Sequence, residues 1–499
     1  MLIRGLLIGF AGCVLASAAD QPQWGERFAR NMVSAETNLP DAFDPATGRN
    51  VLWSVALGTE THATPVVAGG RVLIGTNNNR TRDPRHKGDR GVVMCFAERD
   101  GQFLWQLVVP KLTISVYWDW PNAGICSPAT VEGDRAYLVS NRGEVLGLDL
   151  NGQANGNDGP YRDEARHSEP TEAPPVPVAG NEGDILWLYD MLKELGVRQH
   201  DSTHASILLH GQFLYVNTSN GVDDSHKHID APDAPSLAVF DKLSGQLVAR
   251  DAEHIGPRIF HCTWSSPSLG EVGGRALVFF AGGDGIVYAF EALKTAPPAG
   301  EVAPLKKVWW FDFDPTAPKE QVHQYNGNRQ VSPSNIYGMP VFHAGRLYVA
   351  GGGDLWWGKR AAWLKCIDAT RTGDITKTGE IWSYPLDQHV MATPAVYNGL
   401  VFIADCSGKV HCLDAATGQP CWVHAARGEI WASPLVADGK VYIGTRRREF
   451  LVFAASRGKR LLSSIELDSP ISATPVAANG TLYVATMQRL YAVRNANRP

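Results

Sequence analysis

Residues 389–424 (HVMATPAVYNGLVFIADCSGKVHCLDAATGQPCWVH) decide the fold. Apolar residues alternate through this segment with a period of two, and glycine-containing turns interrupt it at residues 397–399, 407–408 and 414–418. The pattern predicts four short antiparallel strands joined by tight turns. Such a small sheet cannot bury both of its faces alone, so it requires neighbours of the same kind.

The chain contains eight copies of this unit. A frame of a small residue, Thr or Ser, Pro and an apolar residue, followed by glycine, recurs at Pro65, Pro128, Pro267, Pro340, Pro394, Pro434 and Pro475. The eighth copy carries Ile207 where the proline would stand. The last anchors are about 40 residues apart, which is the length of a bare four-stranded propeller blade.

The two ends of the chain complement each other. The last unit lacks the Asp-x-x-Thr-Gly-x-x-x-Trp corner of residues 414–422, and a similar corner occurs near the other end at residues 44–53. An N-terminal strand that completes the last unit would remove two exposed sheet edges. The sequence therefore predicts an all-β fold, an eight-bladed β-propeller of four-stranded antiparallel blades whose last blade is closed by the N-terminal strand. We expect Trp422 to pack against the neighbouring sheet.

Three regions precede or interrupt the repeats. Residues 1–19 combine an early arginine, a short apolar segment and small residues at the end, which is typical of a secretory signal peptide and too short for a membrane span. The N-terminal extension, residues 20–43, is polar with a few aromatic residues, and we expect it to lie along the outside of the ring. A single propeller domain, residues 44–499, then carries insertions near 80–90, 151–184, 222–235 and 311–330.

The signal peptide predicts a periplasmic or secreted protein. Lipoprotein anchoring through Cys13 is the alternative, which Phe10 disfavours as the start of a lipobox. A formal net charge of -5 gives no electrostatic footprint for nucleic acid. The basic run at residues 446–448 falls in a predicted turn, where we expect it to be solvated. We expect a monomer without a transmembrane segment, with a cell-envelope protein or glycan as the kind of partner.

The cysteines leave two alternatives open. Cys406, Cys412 and Cys421 fall close together on adjacent predicted strands, where they could form a disulfide or stay reduced as small half-buried residues. The sequence has no Cys-x-x-Cys-His, so no haem is attached to the chain, and it has no paired Cys-x-x-Cys motifs of the kind that bind structural zinc.

The residues just before each anchor should line the central channel, because the inner strands of a propeller converge on its axis. Three positions before the anchors stand His62, Ile125, His204, Trp264, Tyr337, Met391, Trp431 and Ser472. Five positions before them stand Glu60, Ala123, Ser202, Cys262, Asn335, His389, Glu429 and Pro470. Flat side chains mixed with a few polar groups are typical of a small-molecule site. The predicted cofactor-binding or ligand-binding residues are His62, His204, Trp264, Tyr337, Trp431, Asn335, Glu60, Glu429 and His389. No catalytic residue and no metal ligand is assigned.

Two pairs of histidines stand outside this prediction. His226 and His228 could chelate a metal with Asp223, Asp224 or Asp230, since residues i and i+2 of a strand share a face. On a polar insertion, however, solvated histidines are the commoner outcome. The pair His200 and His204 is similar, except that His204 already belongs to the channel column.

The corner, the anchored frames and the eight units together resemble the pyrroloquinoline quinone (PQQ)-type repeat propellers over about residues 44–495. Within that superfamily the chain resembles secreted PQQ-like repeat proteins labelled after the outer-membrane assembly propeller, with the segments DWPNAGICSP, SNRGEV, TSNGVDDSH and GGDGIVYAF. The resemblance implies PQQ with calcium as a candidate cofactor. Trp264 or Trp431 would then be the aromatic platform, and Glu60, Asn335 and Glu429 would be oxygen ligands of the cation. The adjacent-cysteine disulfide of the quinoprotein alcohol dehydrogenases is absent, and their Asp base and calcium ligands have no matching positions.

Two functions follow from the sequence. The favoured one is an extracytoplasmic PQQ-like repeat propeller that acts as a binding or scaffold protein for an envelope partner or for a small ligand in the central funnel. The alternative is a PQQ-dependent quinoprotein oxidoreductase that oxidises alcohols or sugars and passes electrons to a separate carrier. The motifs are specific for the fold and not for either function.

Overall fold

The structure, a computed structural model, describes residues 19–495. The predicted signal peptide, apart from its last residue, and Cys13 lie outside the described residues. Within residues 19–495, no helix has both the length and the apolar character that a membrane crossing requires.

Eight β-sheets make up the described chain. The first strand is β1 (Val51–Ala56). Blade one contains β2 (Val66–Ala68), β3 (Arg71–Asn77), β4 (Arg90–Ala97) and β5 (Phe103–Pro110). Blade two contains β6 (Thr130–Glu132), β7 (Arg135–Val139), β8 (Glu144–Asp149) and β9 (Asp184–Asp190). Blade three contains β10 (Leu208–His210), β11 (Phe213–Asn217), β12 (Leu237–Asp241) and β13 (Leu247–Arg250).

Blades three, four and five each carry an extra short strand. Blade four contains β14 (Ser268–Val272), β15 (Arg275–Ala281) and β16 (Ile286–Glu291); then β17 (Ala303–Pro304) extends blade three, and β18 (Lys307–Asp312) completes blade four. Blade five contains β19 (Ser334–Asn335), β20 (Val341–His343), β21 (Arg346–Gly353) and β22 (Ala362–Asp368); then β23 (Gly373–Asp374) extends blade four, and β24 (Glu380–Leu386) completes blade five.

The last three blades are plain. Blade six contains β25 (Ala395–Tyr397), β26 (Leu400–Ala404), β27 (Lys409–Asp414) and β28 (Pro420–Ala425). Blade seven contains β29 (Leu435–Ala437), β30 (Lys440–Gly444), β31 (Glu449–Ala454) and β32 (Leu461–Glu466). Blade eight contains β33 (Val476–Ala478), β34 (Thr481–Ala485) and β35 (Arg489–Val493). The helices are two single turns, α1 (Glu164–His167) and α2 (Met191–Glu194), and three 3-10 turns, Gly152–Asn155, Gly256–Arg258 and Val322–Tyr325.

The ring is closed as the sequence predicts. Strand β1 pairs antiparallel with β35, with Val55 opposite Leu490, so the last sheet has the order β1-β35-β34-β33. The first blade-forming strand of the chain thereby becomes the outer strand of the eighth blade. The predicted all-β, eight-bladed propeller of four-stranded antiparallel blades is confirmed.

Each interface between adjacent blades holds its own cluster of buried apolar side chains. The corner tryptophans connect the blades further, because an indole N–H on the outer strand of one blade donates to a backbone carbonyl of the next. Trp422 Nε1 donates to the carbonyl of Ser456 at 2.9 Å, as its predicted packing requires. The same bond is made by Trp53, Trp105, Trp187, Trp309 and Trp382. A buried indole that keeps its hydrogen bond satisfies both its apolar and its polar part.

The N-terminal extension lies inside the ring, so the expectation that it runs along the outside is wrong. Its backbone carbonyls accept hydrogen bonds from inner-strand N–H groups of successive blades: Gln21 from Val67 and Pro22 from Val131, in blades one and two. Phe28 accepts likewise from Leu269, Ala29 from Phe342, and Met32 from Val436, in blades four, five and seven.

The remaining blades are reached through side chains. Arg30 donates to the backbone carbonyl of Ile207 in blade three at 2.9 Å, and the Asn31 amide exchanges hydrogen bonds with the backbone of Val396 in blade six. Ser34 and Glu36 bond to the backbone of blade eight. Residues 19–36 therefore make one circuit of the channel and pair the inner edges that short strands leave open. Unpaired backbone groups at these edges hold the extension there, and its Met32 and Phe28 side chains pack against the clusters between blades.

Candidate functional site

A cavity of about 480 Å³ lies on the axis of the propeller. It is at the end of the channel where the residues just before each inner strand stand. It is lined by Trp24, Glu60, His62, Tyr117, Trp120, Ala123, Asp201, His204, His226, His261, Trp264, Tyr337, Trp356, Trp357, Met391, Trp431, Arg446 and Ser472. Trp24 comes from the N-terminal extension and donates from Nε1 to the Thr474 hydroxyl at 3.1 Å. The inner strands meet the extension two or three residues after their anchors, so the extension crosses the channel deeper than the cavity and limits its depth.

The column three positions before the anchors forms much of this wall. All of its members except Ile125 line the cavity, including the predicted residues His62, His204, Trp264, Tyr337 and Trp431. From the column five positions before the anchors, Glu60 and Ala123 reach the cavity. An inner strand must point the same side of its backbone to the axis in every blade, which is why one register position recurs along the wall.

Three predicted residues lie beside the cavity rather than on it. The Asn335 amide is 2.9 Å from the Tyr337 hydroxyl, and the His389 ring lies 4.9 Å from the Tyr337 ring, both buried behind that side chain. His389 Nδ1 is hydrogen-bonded to the carbonyl of Gly353. Glu429 accepts from Trp431 Nε1 at 3.1 Å and so orients the indole. These residues support the wall of the cavity.

The longer loops supply residues that the register could not predict. Tyr117 and Trp120 come from the connection after β5, and Trp356 and Trp357 come from the loop between β21 and β22. Arg446, expected to be solvated, places its guanidinium 4.0 Å from the centre of the Trp431 ring. The aromatic content of these loops is visible in the sequence, but the position of the loops at the cavity depends on tertiary contacts.

A buried polar network stands behind Trp264. Tyr337 donates its hydroxyl proton to Asp354 Oδ2 at 2.6 Å, and the same oxygen lies 3.0 Å from His261 Nδ1. Burial and the carboxylate together raise the pKa of Tyr337 well above its usual range. Although burial alone would raise it, His261 holds the pKa of Asp354 well below its usual range. Burial raises the pKa of the neighbouring Cys262 thiol to about 11, so this thiol is protonated at neutral pH.

Three histidines from three different loops meet at the cavity wall. One ring nitrogen each of His200, His226 and His261 lies within 4.8 Å of the others, and all three residues are buried. His226 is therefore not the solvated loop residue that its polar insertion suggested, while His228 does not join the cluster. Sequence reasoning missed the set because its members are separated by more than twenty residues and share no spacing rule.

Burial also shifts the pKa values of His204 and Asp201, two other ionisable groups of the cavity, toward the neutral forms. Burial, reinforced by nearby His62, lowers the pKa of His204 to about 3. Burial raises the pKa of Asp201 to about 6. The cavity thus presents aromatic ring faces, imidazole nitrogens and a small number of carboxylate oxygens to an occupant.

The seven cysteines of the described chain are free in the structure. Cys406, Cys412 and Cys421 are among them, so of the two alternatives for this group the reduced one is present.

The sequence matches the family described as outer membrane protein assembly factor BamB over residues 32–222 and 360–497. These segments cover more than half of the chain. The chain belongs to this family. The propeller fold and the PQQ-type repeats agree with that membership. None of the curated proteins matches the sequence significantly.

Solved structures with the same fold include BamB from Moraxella catarrhalis, with a TM-score of 0.53 and 13% identity over 90% of this chain and 98% of that one. A europium-containing methanol dehydrogenase aligns with a TM-score of 0.59 and 13% identity over 94% of this chain and 89% of that one. The computationally designed Ika8 protein aligns with a TM-score of 0.50 and 11% identity over 93% of this chain and 99% of that one. Likeness at these identities concerns the fold alone.

The cavity does not fit PQQ with calcium. PQQ carries three carboxylates, whereas Arg446 is the single Lys or Arg among the lining residues. Calcium takes six to eight oxygen ligands. The residues on the cavity wall that are spaced to hold a metal ion are three histidines, which offer nitrogen. Of the proposed oxygen ligands, Glu60 lines the cavity, while Asn335 and Glu429 are engaged by Tyr337 and Trp431.

Proposed function

We propose that this protein is an extracytoplasmic binding propeller that holds a small, uncharged, ring-shaped ligand, such as a sugar ring, in its axial cavity. The observation that carries the proposal is the composition of the cavity wall, where three tryptophans, Trp264, Trp356 and Trp431, meet within one pocket. Trp356 stands nearly perpendicular to the other two, at 82° to Trp264 and 89° to Trp431.

Sugar rings suit such a wall. Their C–H faces lie against flat aromatic surfaces, and their hydroxyl groups need acceptors and donors around the edge. Glu60 and Asp201 supply carboxylate oxygens, and His62 and His204 supply ring nitrogens. The cavity volume of about 480 Å³ is within the range of small-ligand sites. Because the N-terminal extension crosses the channel below, the ligand would enter from the loop side.

Intrinsic tryptophan fluorescence tests the proposal. Purified protein is titrated with monosaccharides, short oligosaccharides and PQQ, and a saturable change is expected for a saccharide. Trp431→Ala should weaken binding by up to ~10-fold, since loss of an aromatic stacking face costs about 0.5–1.5 kcal/mol. Trp310→Ala is the matched control, because Trp310 is equally half-buried but lies on the outer strand of blade four.

Two results would count against saccharide binding. If no saccharide gives a saturable signal, the ligand class is wrong. If PQQ with calcium binds instead and supports dye-linked oxidation of an alcohol or sugar, the quinoprotein alternative replaces it. The poor match between the donor groups and that cofactor is our reason for ranking the alternative second.

The extracytoplasmic location and an envelope partner belong to the same proposal. They are supported by the signal-like residues 1–19 and by membership of a family described as an outer membrane assembly factor. Expression of the full chain with a C-terminal tag, followed by fractionation, tests the location. Recovery of the uncleaved chain from the cytoplasm would contradict it. Size-exclusion chromatography with light scattering tests the expected monomer.

A further inference from the structure

The histidine cluster on the cavity wall has the spacing of a metal site. His200 Nε2 and His226 Nε2 are 3.2 Å apart. Two nitrogens bound to one tetrahedral zinc ion at 2.0–2.1 Å would be separated by about 3.3 Å. One ring nitrogen of His261 lies within 4.8 Å of both, so this third ring would have to move slightly inward to complete the site.

The far side of two of these rings is already fixed. His200 Nδ1 lies 2.8 Å from the carbonyl of Val222, so it carries the proton and leaves the Nε2 lone pair free for a ligand. His261 Nδ1 lies 3.0 Å from Asp354 Oδ2, so Nδ1 keeps a proton and Nε2 is the nitrogen left for an ion. Metal-binding histidines are held in this way, with one nitrogen on a carbonyl or carboxylate and the other on the ion.

The nitrogen that His261 turns away from Asp354 has no partner. Its Nε2 is buried and makes no hydrogen bond within residues 19–495. A buried, unpaired imidazole nitrogen is costly, and such groups usually have an unseen partner. A metal ion between the three rings would satisfy this nitrogen and would replace the contact between His200 and His226 with two coordinate bonds.

A carboxylate stands beside the rings. Asp201 Oδ2 is 3.8 Å from His200 Nε2, and the Asp201 Oδ1 atom is buried without a hydrogen bond within the described chain. His226, His261 and Asp201 all line the cavity. Three protein nitrogens and a remaining position that faces a ligand cavity are typical of catalytic rather than structural zinc sites.

Aromatic side chains hold the rings in place. Tyr117 stacks on His200 with an interplanar angle of 7°, and Trp357 lies 4.7 Å from His226. Trp356 lies edge-on to His261 at 5.6 Å. Rings held by such neighbours need little reorganisation to bind an ion.

We propose that His200, His226 and His261, with Asp201 beside them, bind a divalent transition-metal ion such as zinc at the wall of the axial cavity. Imidazole nitrogens select zinc, copper, nickel or cobalt over magnesium and calcium. The remaining coordination position would be open to water or to an oxygen of the cavity ligand. The ion would thereby add a Lewis-acid centre to a site that otherwise only binds.

Metal binding by the full chain tests the proposal. Protein stripped with a chelator is titrated with Zn²⁺ by calorimetry and with Co²⁺ by visible absorption. One ion per chain and the intense visible bands of low-coordinate Co²⁺ are expected. His226→Gln should weaken Zn²⁺ binding by at least 100-fold, whereas His228→Gln, on the same loop, should leave it unchanged. Asp354→Asn should weaken it by ~10–100-fold, as loss of a supporting carboxylate does.

The wild-type Co²⁺ spectrum needs no variant to fold, so it decides the question alone. A spectrum of hexa-aqua Co²⁺, or equal Zn²⁺ affinities for the two histidine variants, would overturn the metal site. The inference does not rest on the proposed ligand. Saccharide titrations repeated in the presence of chelator separate them, since the aromatic cavity can bind without the ion.

Discussion

The guanidinium of Arg30 donates to the backbone carbonyl of Pro267 at 3.1 Å and to that of Ile207 at 2.9 Å, so one side chain connects blades four and three. Nη1 of the same guanidinium also donates to the carbonyl of Trp24 at 2.9 Å and to the Ser206 hydroxyl at 3.2 Å. Arg30 is fully buried. A buried cation whose donors meet several oxygens replaces its lost hydration with fixed partners, and its removal leaves those oxygens unpaired.

Arg30→Met should therefore lower the free energy of unfolding by about 3 kcal/mol, because it keeps the length of the side chain and removes its donors. The measurement is the midpoint of thermal or urea unfolding. Arg27→Met is the control, since the Arg27 side chain is 61% exposed and its ion pair with Glu132 is 3.9 Å long. Equal effects of the two substitutions would show that the inner network does not stabilise the ring.

The glycine of the corner motif makes room for the tryptophan of the preceding blade. A Cβ atom at Gly418 would lie 2.6 Å from the Trp382 ring, and the residue has φ +71°. Gly418→Ala should lower the free energy of unfolding by ~1–2 kcal/mol through the left-handed backbone, and by at least as much again because the indole must move. Gly399→Ala isolates the backbone part, because Gly399 has φ +74° and nothing within 4 Å of the added atom. Chemical denaturation of both variants measures the difference, and equal losses would refute the steric role.

Asp184, in the second insertion, should make stability depend on pH. Burial, together with the charges of Glu164, Asp149 and Asp158, raises its pKa to about 6. A carboxyl whose pKa is higher in the folded state stabilises the fold when protonated, so this contribution is lost as pH rises from about 4 to about 6. Asp184→Asn should abolish this pH dependence. Its free energy of unfolding should exceed that of the wild type by about 2 kcal/mol at pH 7 and by little at pH 4. Exposed Asp163→Asn is the control. Parallel pH profiles of unfolding for wild type and Asp184→Asn would contradict the assignment.

One thiol of the described chain should react in the native state. Of the seven free cysteines, Cys421 is half-buried and the other six are buried. A thiol reagent should label about one cysteine per native chain and all seven after denaturation, and Cys421→Ser should abolish the native reaction. Cys366→Ser, which removes a buried thiol, should leave it unchanged. Labelling that persists in Cys421→Ser would place the reactive thiol elsewhere.

Local pattern was sufficient for the ring and for part of its channel. The alternation of residues 400–404 and the corner up to Trp422 are properties of neighbouring residues, and the register of Trp264 and Trp431 follows from the strands. The position of the N-terminal extension could not be predicted, because the unpaired backbone groups and apolar clusters that hold it belong to blades far along the chain.

The histidine cluster was hidden for a different reason. His226 and His228 drew attention through their spacing, but that spacing has meaning only on a strand, and they lie in a loop. The actual neighbours of His226 are His200 and His261. They approach His226 only because blades three and four turn their loops toward the axis. Long-range proximity of this kind requires the closed ring.

The circuit of the N-terminal extension also constrains the order in which the molecule can be completed. Gln21 and Pro22 are made before any blade, yet Met32 bonds to Val436 and Glu36 to Gly480, which are made near the end of synthesis. The last residues of this segment must therefore wait for blades seven and eight, although its earlier residues can bond to blades one to six as those blades form. Early blades can form as local sheets, but the ring closes only when the N-terminal segments bond to the last two blades. A chain that lacks blades seven and eight would thus leave Met32 and Glu36 without these partners.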